Sequence, residues 1–204
     1  MSRLRDALAV ADVEFLQTAV PEAELSALNG LTRIGTVVRA VMTFTTSGRT
    51  DVTPADLHQL MDDVLTITEA QWRSTATIER HYTTSLPPVL VRAGEIQDAL
   101  LRLFSNATLA VKETTGARPG RIAITTENEA DMVAMRIADS GPGVPPDIKD
   151  RIFEPFFTTR DVGQGMGLGL TICREVVARH GGSLSVENAD EGGAVFTLRL
   201  PRSG

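Results

Sequence analysis

The distribution of glycines constrains this sequence more than any other feature. Ten of the 17 glycines fall between Gly141 and Gly193, and four of them alternate in GQGMGLGL, residues 163–170. Glycine loses more conformational freedom on folding than any other residue, so this density indicates backbone that must turn sharply or approach something closely. An amphipathic helix pattern follows at once, whereas flexible linkers mix glycine with serine and do not end in a helix. The glycines therefore predict an ordered binding loop that opens a helix.

Three common glycine-rich phosphate-binding schemes do not match this loop. A P-loop needs glycine followed by lysine, and the chain has no Gly-Lys pair. A dinucleotide fold needs GxGxxG between its first strand and helix, but the spacing here is GxGxG after a long loop. A protein kinase needs separate HRD and DFG motifs, and neither occurs. An ordered set remains: DSGPG at 139–143, FEPFFTTR at 153–160 and GQGMGLGL at 163–170.

The residue types in this set suit a nucleotide. Asp139 ends an apolar strand and can accept a hydrogen bond from an exocyclic amine such as that of adenine. Gly141 and Gly143 would let the backbone approach a flat ring. The alternating glycines would present free N–H groups before the helix that starts at Leu168, where phosphate is favoured. Asn106 lies on a predicted long helix, and its amide oxygen could complete a Mg²⁺ shell.

Hydrophobic periodicity predicts an α+β two-layer sandwich for the C-terminal part of the chain. Three helices are expected. The first begins at the capping sequence of Thr53, Pro54 and Asp56, and the others span 93–114 and 168–180. The long helix would bury Ile96, Leu100, Leu103, Ala107 and Ala110. Strands are expected at 77–83, 89–91, 121–127, 131–139, 184–187 and 194–200. Because the strands cluster as hairpin pairs with helices interleaved, an alternating βαβ array is not expected.

The N-terminal part reads as a helical hairpin over residues 1–50. One helix is expected at 3–19, and a second at 22–46, where Leu31, Ile34, Val38 and Val41 form part of a bundle seam. A turn-rich break at 45–51 is the best domain boundary. A two-helix hairpin cannot bury two apolar stripes alone, so a partner surface is expected. The alternative is that these helices pack on the chain's own C-terminal domain.

Composition narrows the function classes. The formal net charge is −6, whereas nucleic-acid binders need a basic face, so no nucleic-acid partner is expected. No apolar run is long enough for a membrane span, and no membrane contact within this chain is expected. The start of the chain does not resemble a signal peptide. The single cysteine, Cys173, fits a reducing compartment, so the expected location is cytoplasmic.

These motifs together resemble the ATP-binding catalytic domain of sensor histidine kinases, in the superfamily that includes DNA gyrase, Hsp90 and MutL. Asn106 resembles the N-box asparagine, DSGPG at 139–143 the G1 box, FEPFF at 153–157 the F box, and the glycines of 163–169 the G2 box. The family's terminal strand is similar to the segment that contains Phe196 and Leu200. The resemblance covers about residues 51–202. It implies a Bergerat-type sandwich of a mixed sheet and three helices, with a mobile lid between the F box and G2.

The resemblance also implies a site and partners. ATP and Mg²⁺ would be the cofactors, with Asp139 on the adenine and Asn106 on the metal. The candidate nucleotide-binding residues are Asn106, Asp139, Gly141, Gly143, Phe153, Arg160, Gly163, Gly165, Gly167, Leu168 and Gly169. Residues 33–44 resemble the second helix of the family's dimerisation and phosphotransfer hairpin, so a homodimer through the N-terminal helices is expected. A response regulator, or a phosphoacceptor helix in trans, would be the other partner.

The sequence departs from the family pattern at three places. None of the three histidines, His58, His81 and His180, has the surroundings of a phosphoacceptor, so ordinary structural or surface roles are expected for them. Arg102 stands four residues before Asn106, where the family usually has asparagine. It cannot act as a base or bind Mg²⁺, and we expect it to pair with Asp98 or to reach a phosphate. Ala194 stands where Ser or Thr is common.

These departures leave several functions open. The leading hypothesis is a histidine kinase catalytic module that transfers the ATP γ-phosphate to a histidine this chain does not carry, and autophosphorylation of the chain alone is doubtful. One alternative is a nucleotide-binding dimerisation or regulatory module without phosphotransfer. Another is a serine kinase that acts on a partner protein. A hydrolytic ATPase of the gyrase type is disfavoured, because Arg102 stands where the hydrolytic relatives have glutamate.

Overall fold

The computed structural model describes residue 20 and residues 51–114, 119–160 and 165–203. The predicted helices at 3–19 and 22–46 therefore lie outside the described residues. Val20, between these two ranges, is described and is exposed. Among the described residues, no helix is long and apolar enough to cross a membrane.

The described part consists of seven strands and four helices. The strands are β1 (Thr53–Ala55), β2 (Ala76–His81), β3 (Val89–Val91), β4 (Gly120–Asn128), β5 (Met132–Asp139), β6 (Ser183–Asn188) and β7 (Ala194–Pro201). The helices are α1 (Leu57–Ile67), α2 (Glu69–Trp72), α3 (Ala93–Thr114) and α4 (Gly169–Arg179). Two short 3-10 turns, Pro146–Ile148 and Arg151–Phe153, lie between β5 and α4.

Five strands form one mixed sheet in the order β2-β4-β5-β7-β6. Strand β2 pairs with β4 in parallel, and every other pair in this sheet is antiparallel. Alternate residues of β4 and β5, such as Ile124 and Ile137, face the helices and are fully buried. This layer of helices on one face of a sheet confirms the predicted two-layer sandwich.

Helix α3 is the central element of the helical layer. Its bounds are those predicted, and it buries Ile96, Leu100, Leu103 and Ala107 as expected. Ala110 is only half-buried. It was expected in the core, but it lies beside the turn after β5, which places this face of α3 at the edge of the helical layer.

The predicted start of α1 is wrong. Thr53, Pro54 and Ala55 do not begin the helix but form β1, which pairs with β3 in a separate two-stranded sheet. The helix starts at Leu57, because the Asp56 carboxylate accepts the backbone N–H groups of His58 and Gln59. Pro54 fits β1 because no other described strand pairs with the free edge of β1. Helix α2 was also not predicted.

Candidate nucleotide-binding site

Asp139 is the last residue of β5 and is 5% exposed. Its Oδ1 atom accepts two backbone N–H groups, from Gly141 at 2.8 Å and from Ala194 at 3.3 Å. No described residue donates a hydrogen bond to Oδ2, which leaves this oxygen for a ligand. Burial raises the pKa of the Asp139 carboxyl, and the two N–H groups oppose that shift only in part. A buried acid held in this way can accept an amine hydrogen through Oδ2.

Gly141 lies where the turn after β5 packs against helix α3. A Cβ atom at this position would lie 2.8 Å from the Cβ of Ala110 and 2.7 Å from Oδ1 of Asp139. Any side chain here would therefore push the turn away from the helix and break the bond that orients Asp139. Ala110 is half-buried at this contact, where the turn meets α3 and a small residue is needed.

Asn188 fixes the next part of this turn. Its Oδ1 accepts the backbone N–H of Val144 at 2.8 Å, and its Nδ2 donates to the Val144 carbonyl at 2.8 Å. Gly143 lies beside it, with a φ of +77°. Asn188 was not predicted, because a single asparagine at the end of a strand carries no local sign of a partner 44 residues away.

The N-terminus of α4 has no side-chain cap. Leu168 is its N-cap residue, and no acidic residue lies in the first turn. The hydroxyl of Thr171 donates to the Phe153 carbonyl, 3.0 Å away, rather than capping the helix. The first N–H groups of α4 are thus left for another acceptor, and their positive end of the helix dipole favours an anion. Gly169 starts the helix, and nothing lies within 4 Å of where its Cβ would be.

The segment 153–157 is bound to α4 and to the glycine loop. The buried Phe153 ring has the Arg174 guanidinium over its face, at 5.2 Å. Phe156 donates its backbone N–H to the Gly167 carbonyl at 3.0 Å. Arg174 was not predicted as part of the site, because its partner Phe153 lies 21 positions away in the sequence.

Two further candidate residues, Arg160 and Gly165, lie close to each other. Arg160 is half-buried, and its backbone N–H is donated to the Thr158 hydroxyl at 3.2 Å. Gly165 lies near both of them, with its Cβ position 3.8 Å from Arg160 Cδ. Gly163 lies outside the described residues.

Asn106 lies between Arg102 and Ala110 along one stripe of α3. The three residues are spaced four apart and are all half-buried. No described residue forms a hydrogen bond with the Asn106 side chain, so its amide oxygen is available to a ligand. Within the described residues, no group of three or more His, Cys, Asp or Glu side chains could hold a metal ion alone. A single amide oxygen fits Mg²⁺ held mainly by phosphate oxygens and water.

Arg102 pairs with Asp98 as predicted. Its Nε atom donates to Asp98 Oδ2 at 2.8 Å, and its side chain is 24% exposed. None of the other described residues accepts a hydrogen bond from it.

The three histidines have structural partners. His180 is almost fully buried: its Nε2 accepts the Arg92 backbone N–H, and its Nδ1 donates to the Val176 carbonyl. His58 lies 2.8 Å from the Thr126 hydroxyl and stacks on Tyr82. His81 lies on β2 within 3.5 Å of Glu79. This matches the expectation of structural and surface roles.

Comparisons with known proteins agree with this geometry. Residues 95–204 match the family described as histidine kinase-, DNA gyrase B-, and HSP90-like ATPase. The chain is 31% identical to the sensory histidine kinase/phosphatase NtrB of Rhizobium meliloti, over 84% of this chain and 47% of NtrB. It is also 31% identical to the sensor protein FixL of Bradyrhizobium diazoefficiens, over 83% of this chain and 33% of FixL. The chain thus spans less than half the length of these two relatives.

Solved structures show the same fold. The catalytic domain of histidine kinase ThkA is 32% identical, with a TM-score of 0.66 over 76% of this chain and 100% of that domain. ThkA in complex with the response regulator protein TrrA gives a TM-score of 0.70 at 28% identity, over 86% of this chain and 49% of that one. These matches confirm both the predicted resemblance and the predicted fold class.

Proposed function

Because the chain belongs to the histidine kinase-, DNA gyrase B-, and HSP90-like ATPase family and has the ATP-binding catalytic domain of sensor histidine kinases, we propose how it uses ATP. In this proposal it binds ATP with Mg²⁺ through the site around Asp139. It then transfers the γ-phosphate to a histidine that it does not itself present. The chain would be the catalytic part of a cytoplasmic two-component kinase.

The observation that carries the proposal is the bonding of Asp139. Both N–H groups that stabilise its carboxylate bind the same oxygen, Oδ1. Oδ2 can then accept a hydrogen bond from a ligand amine. Adenine presents an amine at its C6 position, whereas guanine presents a carbonyl oxygen there, which a carboxylate repels. The site should therefore select ATP over GTP.

The phosphates would lie at the start of α4. Its uncapped N–H groups and dipole favour negative charge. Gly163, Gly165, Gly167, Leu168 and Gly169 would line this end of the nucleotide, with Arg160 and Phe153 beside them. Asn106 would help to hold Mg²⁺ through its free amide oxygen, and the metal would supply positive charge that neutralises the phosphates during transfer.

The phosphate acceptor would come from outside the described residues. Both ring nitrogens of His180 are bonded, and His58 is held by Thr126 and Tyr82. Phosphoryl transfer depends on an acceptor held in line with the γ-phosphate. A helix supplied in trans, or a segment of a longer protein, would provide it. ThkA, which is similar, has been crystallised with a response regulator, and a response regulator is the proposed downstream partner.

The N-terminal part would support this role. We propose that residues 1–50 form the helical hairpin and residues 51–204 the catalytic domain. The seam at 31, 34, 38 and 41 would join two copies of the chain as a homodimer.

Titration calorimetry tests the proposed nucleotide specificity. With Mg²⁺ present, we expect ATP to saturate one site per chain and GTP to bind about 5- to 150-fold more weakly, since an unsatisfied or repelled polar pair costs about 1–3 kcal/mol. Omitting Mg²⁺ should weaken the binding of ATP. Equal affinity for ATP and GTP would contradict the role of Asp139, and no binding of ATP would overturn the proposal.

A second candidate is a nucleotide-binding regulatory module without phosphotransfer. The pairing of Arg102 with Asp98 favours it, because a cation replaces the asparagine that is usual at this position. This module would bind ATP in the same way but would not label any acceptor helix. Addition of the phosphoacceptor hairpin of a relative such as NtrB, with γ-labelled ATP, separates the two candidates.

A further inference from the structure

Arg102 is the residue of the site for which the proposed function gives no role. It lies four residues before Asn106, about 6 Å along the axis of α3. Asn106 and Ala110 continue the same stripe to the Gly141 turn. Arg102 therefore belongs to the face of α3 that borders the proposed nucleotide site, at the end away from Asp139.

The packing of α4 places the helix N-terminus near the same residue. The Cys173 thiol, one turn into α4, donates to the Ala99 carbonyl of α3 at 3.4 Å. Ala99 precedes Arg102 by three residues, so the two residues are neighbours on the surface of α3. Burial raises the pKa of the Cys173 thiol to about 12, and the nearby charge of Arg102 opposes this rise. Arg102 thus lies on the part of α3 that packs against the first turns of α4.

The guanidinium is held by one edge only. Asp98 accepts the Nε hydrogen, and no described residue accepts from the terminal Nη groups. A guanidinium has five N–H donors, so four remain for another acceptor. Its planar fork matches the geometry of phosphate oxygens. Asp98 leaves this fork free while it restricts the rotation of the side chain.

We propose that Arg102 is a phosphate-binding residue of this site, with Asp98 as its positioning residue. The inference rests on the proposed ATP binding. Arg102 contacts the terminal phosphates from the α3 side, opposite the N–H groups of α4. It supplies a fixed positive charge where a neutral amide would stand in most relatives. Binding of ATP in this chain is then less dependent on Mg²⁺, because part of the phosphate charge is neutralised by the protein.

The test compares Arg102→Gln with wild type. We expect Arg102→Gln to weaken the binding of ATP about tenfold with Mg²⁺, and by a larger factor in EDTA, since bonds to charged groups are among the stronger ones. Binding of adenosine, followed by ligand-observed NMR, should stay within about a factor of two. Arg102→Lys should recover part of the lost ATP affinity, because it restores the charge without the fork.

The matched control is Arg73→Gln. Arg73 follows α2 directly and also pairs with a carboxylate four residues away, Glu69, at 3.0 Å, but both side chains are exposed. This variant should bind ATP as wild type does. Suppose that wild type binds ATP and that Arg102→Gln has the same ATP affinity as wild type, both with Mg²⁺ and in EDTA. Arg102 is then only an ion-pair partner, and the inference is overturned. An equal loss for adenosine and ATP would also overturn it, because the defect would be structural. Failure of wild type to bind ATP would overturn the proposed function itself.

Discussion

At the scale of single residues, the Asp139 carboxyl determines both stability and binding. Burial raises its pKa, so folding favours the protonated acid. The stability that this group contributes is present at low pH and is lost as the pH rises through the pKa of the folded state. An ionised Asp139 is therefore a destabilising charge in the free protein, and we propose that this charge is used to bind adenine.

Substitution of Asp139 by Asn should have opposite effects on these two properties. The amide oxygen can still accept the N–H groups of Gly141 and Ala194, while the buried charge is removed. We expect Asp139→Asn to melt at a higher temperature than wild type at pH 7 without nucleotide, and the difference to shrink in acid. ATP affinity should fall by about 1–3 kcal/mol, because Nδ2 would face the amine of adenine.

Thermal denaturation at two pH values and calorimetry with ATP measure these effects. The exposed Asp147, in the adjacent 3-10 turn, offers the control variant Asp147→Asn. A variant at position 139 that is less stable than wild type at pH 7 would show that the charge is not a cost to the free protein.

Much of the site could be predicted from single residues. Asp139, Gly141 and Asn106 were predicted because each sits in a short motif whose chemistry is local. Asn188, Arg174 and the Ala194 N–H were missed, because each acts on a residue at least 21 positions away. Such pairs depend on the order of strands in the sheet, and no spacing in the sequence reveals them.

At the scale of elements, the contact between the glycine loop and the F-box segment holds the start of α4. Gly167 has a φ of +65°, and a Cβ there would lie 2.6 Å from the Phe157 nitrogen. Gly167→Ala should therefore separate the loop from 156–157 and displace the first N–H groups of α4. We expect a loss of stability of about 1 kcal/mol or more, together with weaker ATP binding.

Chemical denaturation and ATP titration of the variant test this expectation. Gly94→Ala, in the first turn of α3, is the matched control, because nothing lies within 4 Å of the added methyl group. The control should be as stable as wild type or slightly more so. If Gly167→Ala matched the control in both measurements, the loop would not position α4.

Elements that their own residue pattern defines were predicted better than elements that depend on pairing. Helix α3 and strand β3 have their predicted bounds, because buried residues at helical or alternate spacing define them clearly. The start of α1 was predicted wrongly, because Thr53, Pro54 and Asp56 locally fit a helix cap. The pairing of β1 with β3 decides the structure instead, and it joins residues more than 30 positions apart.

At the scale of the whole molecule, we expect a homodimer formed by residues 22–46. The apolar seam at 31, 34, 38 and 41 would otherwise remain in water, at a cost of about 25 cal/mol per Å². Light scattering of the intact chain should give twice the mass of one chain. A shortened chain that starts at Asp51 should be monomeric. A monomeric intact chain would contradict this assembly.

We propose that this chain binds ATP and presents it for transfer but has no accessible phosphoacceptor histidine of its own. The most direct measurement is incubation of the chain with γ-labelled ATP and Mg²⁺, followed by acid and alkali treatment of the protein. We predict saturable binding of the nucleotide and no acid-labile, alkali-stable label on the chain, because His58 and His180 are held by structural partners and His81 lies on β2 of the catalytic domain. Acid-labile, alkali-stable label that disappears in a His58→Ala, His81→Ala or His180→Ala variant would show that this histidine is an accessible phosphoacceptor.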